Sequence, residues 1–470
     1  MARRIEIFDT TLRDGNKLPF VVLPTADRVL LAHQLERLGV DVIEAGFPAD
    51  SAEEVDCVRR VCDEVKTPWI AALARARDSD VEKALESLRS SRRGHLHVYM
   101  SGSPHFLRSV LKRSEEEALV DLGRCIRTAR AAGVRVQFSL SEAPHARPAF
   151  LRDACRVAAE AGAAIVNLAD TNGIMVPEDV EALVASAMKA VEGVGTAKTV
   201  VGIHCHNDLG LAMANTLAGL RAGACHAEVT VGGFGERAGN AALEELAFCL
   251  SAFGERYGLA HGIVLGQIAR TSALFDSMTG VRTHPNKPVT GQCAFLPAPG
   301  GFAGQALDPA LHALLRESTI GRGPGLPQVD ETSPAGAGGL YELETFNVTT
   351  GSHSPPVGVV VVRREGKSLT QTSHGNGPID ALFRAVDKAL GFAARMVLYS
   401  VSTLSAGTEA KTQVIITVEL RGRRFHGRHT STDVIESSLR AYLEACNAIG
   451  ASGILEGPSD FHVAGEYLWE

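Results

Sequence analysis

Up to about residue 255 the chain alternates short apolar runs with longer amphipathic stretches. The apolar runs fall at 5–8 (IEIF), 41–46 (DVIEAG), 69–74 (WIAALA), 95–100 (HLHVYM), 135–140 (RVQFSL), 164–169 (AIVNLA), 200–204 (VVGIH) and 227–232 (AEVTVG). Runs this short, bounded by polar segments, read as strands buried on both faces. The stretches between them carry helical spacing. In TADRVLLAHQLERLG, Leu31, Leu35 and Leu38 keep one face apolar, Thr25 is placed to cap the start, and Gly39 the end. Eight strands alternating with eight helices predict an α/β fold, a (β/α)8 barrel over residues 1–270. A doubly wound sheet is the weaker alternative, because no Gly-rich dinucleotide fingerprint follows the first strand.

The alternation then stops. Residues 271–340 form a linker or subdomain in this reading, with GRGPGLPQVDETSPAGAGG rich in Gly and Pro. From 341 to 470 a second pattern repeats itself: strands followed by a helix, twice, each helix preceded by a small-polar turn (HGNGPID, then HTSTDVI). This predicts a smaller α+β domain of two similar units, suited to dimerisation or ligand sensing.

Composition narrows the function classes. The 470 residues carry a formal net charge of −7, which gives no electrostatic reason to expect nucleic acid. No apolar run reaches the length of a membrane span, and MARRIEIFDT has a basic start without the apolar core of a signal peptide. The nine cysteines form no C-x-x-C pair, and Cys57, Cys125, Cys155 and Cys249 sit in helical patterns as small hydrophobes. A cytoplasmic protein is expected.

Candidate chemistry concentrates at the predicted barrel mouth. His204 and His206, two apart at the end of VVGIHCH, point to one side of a strand, while Cys205 points to the other. Alone, the pair also reads as a polar strand end. Residues just past the C-terminal strand ends face the active-site mouth of such a barrel. DTTLRDG places Asp9, Arg13 and Asp14 there, and GGFGERAGN brings Asn240 from the loop after strand 8. Strands 7, 8 and 1 are neighbours in a closed barrel, so an Asp, two imidazoles and an amide oxygen converge. That donor set suits Mg²⁺, Mn²⁺ or Zn²⁺ with open positions for substrate. A loop salt bridge from Arg13 to Asp9 or Glu44 is the weaker, purely structural reading of that residue.

The stretches DTTLRDG, VDVIEAGFP, HCHNDLGLAMANTLAGLRAGA and GGFGERAGNAALEELAF resemble the acyl-CoA-dependent 2-oxo acid condensing enzymes, the 2-isopropylmalate, citramalate and homocitrate synthases. HGNGPIDALFRAVDKAL and SSLRAYLEACNAI resemble the regulatory domain of 2-isopropylmalate synthase and some citramalate synthases. The resemblance implies a metal-dependent barrel that condenses acetyl-CoA, or another acyl-CoA, with a 2-oxo acid. It implies Asp14, His204, His206 and Asn240 as metal ligands, Arg13 as the group stabilising charge on the keto oxygen, and Thr171 of ADTNG as a contact to the substrate carboxylate. It implies a homodimer, and branched-chain amino acid biosynthesis, leucine included. Glu236 and Arg237 are expected to brace their loop as an ion pair.

The sequence also departs from the family. Asn16 and Lys17 stand where Glu-Gln is usual after the first motif. In FSLSEAPHA, Ser141 takes the position of a family glutamate and His145 that of an arginine, leaving Glu142 one step along. Pro297 and Phe302 occupy the positions of two family histidines, and neither side chain moves a proton. Glu142 and His145, with His105 and Lys17, are the candidate replacements. Two alternatives stay beside the condensing enzyme: a metal-dependent carbon–carbon lyase or aldolase, and a catalytically weak metabolite sensor.

Overall fold

The computed structural model describes residues 2–18, 23–195, 198–281, 283–294, 316–322, 340–352, 354–364, 366–403, 412–421 and 423–456. The chain divides into two units, Met1–Gly323 and Pro324–Glu470.

In the first unit eight parallel strands close into a barrel: β1 (Glu6–Asp9), β2 (Val42–Gly46), β3 (Trp69–Arg75), β4 (Gly94–Ser101), β5 (Arg135–Ser141), β6 (Ile165–Asp170), β7 (Val200–Cys205) and β8 (His226–Val229). Closure comes from β8 pairing with β1, Ile7 opposite Ala227. Helices alternate with the strands: α1 (Thr25–Leu38), α2 (Ala52–Glu64), α3 (Asp78–Ser87), α4 (Glu115–Ala131), α5 (Pro148–Glu160), α6 (Pro177–Val191), α7 (Ala212–Ala222) and α8 (Leu243–Tyr257). A ninth, α9 (Ile268–Thr279), follows within the same unit. The apolar residues that alternate outward along the strands pack on the inner faces of the helices, and this ring is the main core. No helix among the described residues is long and apolar enough to cross a membrane.

Two local expectations fail for identifiable reasons. The eighth strand ends at Val229, three residues earlier than AEVTVG implied, because Val231–Gly233 turn as a 3-10 helix with Gly232 and Gly233 at φ of 67° and 71°. Only glycine adopts that backbone readily, so the pair ends the strand and starts the mouth loop. Thr25 does not cap α1. It is the first helical residue, and Pro24, with its fixed φ, occupies the capping position without a side-chain hydrogen bond. Gly39 ends the helix in the left-handed region as expected.

The second unit repeats one motif. Strands β9 (Tyr341–Gly351), β10 (Ser354–Arg364) and β11 (Lys367–His374) form an antiparallel sheet followed by α10 (Pro378–Leu390). Strands β12 (Arg395–Thr403), β13 (Thr412–Leu420) and β14 (Arg423–Ser431), then α11 (Val434–Ala451), do the same. Val360, Val362, Leu382, Val386, Ile416 and Leu439 share one core. The helices meet through Phe383 stacked on Tyr442, with ring centres 4.4 Å apart. Tyr442 Oη donates to Asp387 Oδ1 at 2.5 Å in the same buried layer.

Burial drives the Asp387 carboxyl up to about 7, with Tyr442 and Arg384 opposing and Asp380 adding to the rise. An unfolded Asp loses its proton near ~4. Between those two values the folded state holds the extra proton, so this residue costs stability increasingly as pH rises through the window. Asp387→Asn, which keeps an acceptor for Tyr442, should therefore stabilise the protein at pH 8 by on the order of 2 kcal/mol and leave it unchanged at pH 4. Thermal melts of the two proteins across that range check the difference.

Candidate metal centre and active-site cavity

A tight turn at the end of β1 builds the first part of the site. Thr10 O accepts from the backbone N–H groups of Arg13 and Asp14 at 3.1 and 2.8 Å, which swings both side chains over the barrel mouth. Asp9 holds the turn from beneath, accepting from Thr11 N at 3.0 Å and Thr11 Oγ1 at 2.9 Å. Burial pushes its carboxyl up to about 7. Thr11 Oγ1 in turn accepts from Val231 N, tying the turn to the loop after β8. Two strands around the barrel, β7 delivers His204 inward and Cys205 outward, where its thiol partners Thr216 of α7. One step beyond the strand, His206 makes an isolated bridge with Asn240.

Asp14 Oδ2 lies 3.9 Å from His204 Nε2 and 3.6 Å from His206 Nε2. Among the described residues these three form a group whose ligand atoms all lie within 4.8 Å of one another, and all three are buried. Ligands at ~2.0–2.2 Å from one ion stand roughly 3–4 Å apart, so the spacing suits a shared cation. Asn240 Nδ2 donates to Asp14 Oδ2 at 3.2 Å, while its Oδ1 is buried without a partner. A half-turn of the amide gives up the Nδ2 bond to Phe234 O, 3.2 Å, and turns that orphaned oxygen toward a cation. A hard or borderline divalent ion therefore fits these residues.

The electrostatics fit as well. Burial opposes ionisation of Asp14, but Arg13, His206, His204 and Lys17 hold its carboxyl well below the usual range. Glu228 Oε2 lies 2.8 Å from His204 Nδ1, which leaves Nε2 of that ring to face the cluster. On His206 the arrangement is reversed: Arg237 Nη2 reaches Nδ1 at 2.8 Å, and a guanidinium only donates. The neutral ring therefore carries its hydrogen on Nε2, toward Asp14, and binding a cation through that atom requires the hydrogen to move to Nδ1 and Arg237 to give way. The proton released on metal binding comes instead from His204, where burial opposes the charged form but Glu228 and Asp14 outweigh it.

Beneath the cluster the barrel interior is polar. Glu44 Oε2 accepts from Thr10 Oγ1 at 2.6 Å and from Arg13 Nε at 2.7 Å, while its Oε1 meets His97 Nδ1 at 2.6 Å. Burial would raise the Glu44 carboxyl, but Arg13 and His97 outweigh it and bring it to about 2. His97 Nε2 reaches Ser139 Oγ at 2.6 Å, and Asn167 and Gln137 donate to Glu228. Sequence reading passed over His97, Ser139, Asn167, Gln137 and Glu228. Their signal was polar residues inside otherwise apolar strands, which a barrel with a filled interior places on its inner wall.

A cavity of about 600 Å³ opens over this floor, with Arg13, Asp14, Tyr99, Glu142, His204 and His206 among its walls. Arg13 combines both sequence readings. It is paired with Glu44, and with Asp14 Oδ1 at 3.0 Å, yet it lines the cavity. Thr171 also lines it, and its Oγ1 accepts the backbone N–H of Glu142 at 2.8 Å. Glu142 has φ of 51°, a left-handed backbone that costs a non-glycine residue about 1–3 kcal/mol. That conformation turns its carboxylate into the cavity, where Oε2 accepts from Ser101 at 2.5 Å.

Three expected residues fall elsewhere. His145 is exposed, bonded to Asn172 at 3.0 Å, and does not line the cavity; the turn at Ala143–His145 carries it outward. His105 is likewise exposed and outside it. Asp9 holds the loop rather than lining the cavity. Lys17 does reach the cavity, pairing with Glu236 at 2.6 Å and Asp14 at 3.4 Å. Arg237 braces its loop mainly through Asp208, at 2.7 Å, with Glu236 more distant at 3.4 Å. Pro297 and Phe302 lie outside the described residues.

The barrel and its cluster match a known class: the HMGL-like family profile covers residues 4–275, and the chain belongs to that family. The LeuA allosteric (dimerisation) domain profile matches residues 310–450. The 2-isopropylmalate synthase of Pyrococcus furiosus is 36% identical, across 96% of this chain and 100% of that protein. The 2-isopropylmalate synthase of Heliobacterium modesticaldum is 33% identical, across 97% and 98%. A solved hydroxymethylglutaryl-CoA lyase from Pseudomonas aeruginosa shares the barrel fold at a TM-score of 0.52 and 21% identity, covering 60% of this chain and 95% of that one.

Removing one imidazole should disable the cluster. His206→Ala should lower Mn²⁺ or Zn²⁺ affinity by more than about 100-fold with circular dichroism unchanged. Calorimetric titration in buffers of different ionisation enthalpy should show protons released when the wild type binds metal. Wild-type affinity in the variant contradicts the assignment.

Proposed function

We propose that the chain is a divalent-metal-dependent acyltransferase that condenses acetyl-CoA, or another acyl-CoA, with a 2-oxo acid in the manner of 2-isopropylmalate synthase. The observation that carries this reading is the Asp14, His204 and His206 cluster, open to a cavity that also holds Arg13. The full-length similarity to 2-isopropylmalate synthases supports it.

In the reaction a methyl C–H beside the thioester loses its proton, and the carbon so freed bonds to the keto carbon of the 2-oxo acid. The keto oxygen takes up a proton, and water then cleaves the thioester, leaving free CoA thiol and a new carboxylate. The cation, held by Asp14, His204, His206 and Asn240, supplies Lewis acidity to the keto acid when bound. Arg13, fixed by Glu44, offers guanidinium N–H groups to the keto oxygen as negative charge grows there. Thr171 binds the substrate carboxylate. Glu142 is the proton acceptor that best fits the geometry, because it reaches the cavity from a strained backbone and His145 does not.

The C-terminal unit, by its match to the LeuA allosteric (dimerisation) domain, pairs two chains and senses an effector such as a branched-chain amino acid. Leucine biosynthesis is the process this places the protein in. All nine cysteines are free, which suits the reducing cytoplasm.

Release of CoA thiol from acetyl-CoA, followed against a panel of 2-oxo acids, tests the activity. Thiol release should need one oxo acid and a divalent metal. Cleavage of a 4-hydroxy-2-oxo acid without CoA would instead favour a lyase, and binding without turnover a sensor. Glu142→Gln should lower kcat by about 10²- to 10⁴-fold and change the oxo acid KM little. An unaltered kcat would remove Glu142 from the chemistry.

A further inference from the structure

Past α9 the chain makes a compact turn. Asp276, near the end of α9, accepts from Thr283 N at 2.9 Å and from Thr283 Oγ1 at 3.0 Å, which fixes where the turn begins. Within it Lys287 O accepts from Gly291 N at 2.8 Å, and Pro285 O from Cys293 N at 2.9 Å. Arg322 closes it, donating to Thr290 O at 2.6 Å. Val289 is buried inside with φ of 66°. A β-branched residue in the left-handed region is strained, and such strain persists only where the surroundings impose it. The side chain this strained turn presents to the barrel is Lys287.

Lys287 reaches the start of α8. Its Nζ pairs with Glu245 and lies 3.8 Å from Glu244 Oε1. The two carboxylates differ. Glu245 is partly exposed, whereas Glu244 is buried and its Oε1 accepts no hydrogen bond among the described residues. Burial drives the Glu244 carboxyl up, and Lys287 is the largest influence against that rise. Glu244 Oε2 accepts from Gly232 N at 3.0 Å, next to Val231 N, which Thr11 Oγ1 already holds. The following residue, Gly233, accepts through its O from Asn240 N at 2.8 Å. Lys287, Glu244, Gly232, Gly233 and Asn240 thus form an unbroken series. Phe234 of the same loop stacks on Phe275 of α9, with ring centres 4.9 Å apart. Elements beyond the barrel therefore grip this loop at two points.

We propose that Lys287 is a positioning residue for the metal centre, holding Glu244 so that the loop after β8 keeps Asn240 against Asp14 and the two imidazoles. The inference rests on the metal reading of that cluster. A buried carboxylate with an ammonium beside it is a stronger acceptor for Gly232 N–H than a protonated carboxyl, so loss of the amine loosens this loop and leaves the barrel strands as they are.

Mn²⁺ titration and amide hydrogen exchange of the full-length protein test this together. Lys287→Met, which keeps an unbranched stem without its charge, should bind Mn²⁺ about tenfold more weakly. It should also exchange faster across residues 230–241, with strands β2 to β5 unchanged. Lys287→Arg should restore both properties. In a Glu244→Gln background no buried charge needs offsetting, so adding Lys287→Met should alter the affinity by less than about twofold. Wild-type affinity or wild-type loop exchange in Lys287→Met, or the same loss in the Gln background, would overturn the proposal. Faster loop exchange in Lys287→Met, in a protein that binds no Mn²⁺ at all, would uphold the lysine's grip on the loop and defeat the metal reading instead.

Discussion

The structure depends on how two carboxylates are kept charged inside the barrel. Glu44 and Glu228 are almost wholly buried, and an isolated ionised carboxylate in such a place would take up a proton. Each stays ionised because cationic groups and hydrogen-bond donors surround it: Arg13, His97 and Thr10 at Glu44, and His97, His204, Asn167 and Gln137 at Glu228. The partners are fixed by the same requirement. Arg13 cannot leave Glu44 without stranding a buried charge, and His204 is held by Glu228 with Nε2 toward Asp14. The floor of the barrel thus orients the groups that face the substrate.

Above this floor the loops add what a rigid barrel cannot. The turn after β1, tied to the β8 loop through Thr11 and Val231, sets Asp14 against the two imidazoles. The left-handed residue after β5 aims Glu142 into the same space, its N–H anchored on Thr171. Strand order does the rest: β7, β8 and β1 are consecutive around the closed barrel, so residues 14, 206 and 240 meet despite their separation in sequence.

How much of this was legible in the sequence varied with the physics involved. Strand existence was plain, because a strand buried on both faces must be an apolar run, and all eight runs became barrel strands. Their ends were less plain: the stop at Val229 depends on two glycines with positive φ, which an apolar pattern does not display. Asp14, His204 and His206 were legible because barrel topology turns positions at strand ends into neighbours. His145 was placed at the mouth by sequence adjacency, yet a single left-handed residue at 142 decides which side chain of that loop turns inward. The interior polar network leaves a period-two trace, with Gln137, Ser139 and Ser141 alternating with Val136, Phe138 and Leu140, but only the closed barrel identifies that polar side as an inner wall.

The central claim is that one divalent cation is shared by side chains from the first and seventh strand ends, with Asn240 completing the set from the eighth. Anomalous diffraction from crystals grown with Mn²⁺ addresses it directly. The account predicts a single strong peak within about 2.0–2.3 Å of Asp14 Oδ, His204 Nε2 and His206 Nε2. A peak bound elsewhere on the barrel, or none at saturating Mn²⁺, would contradict it.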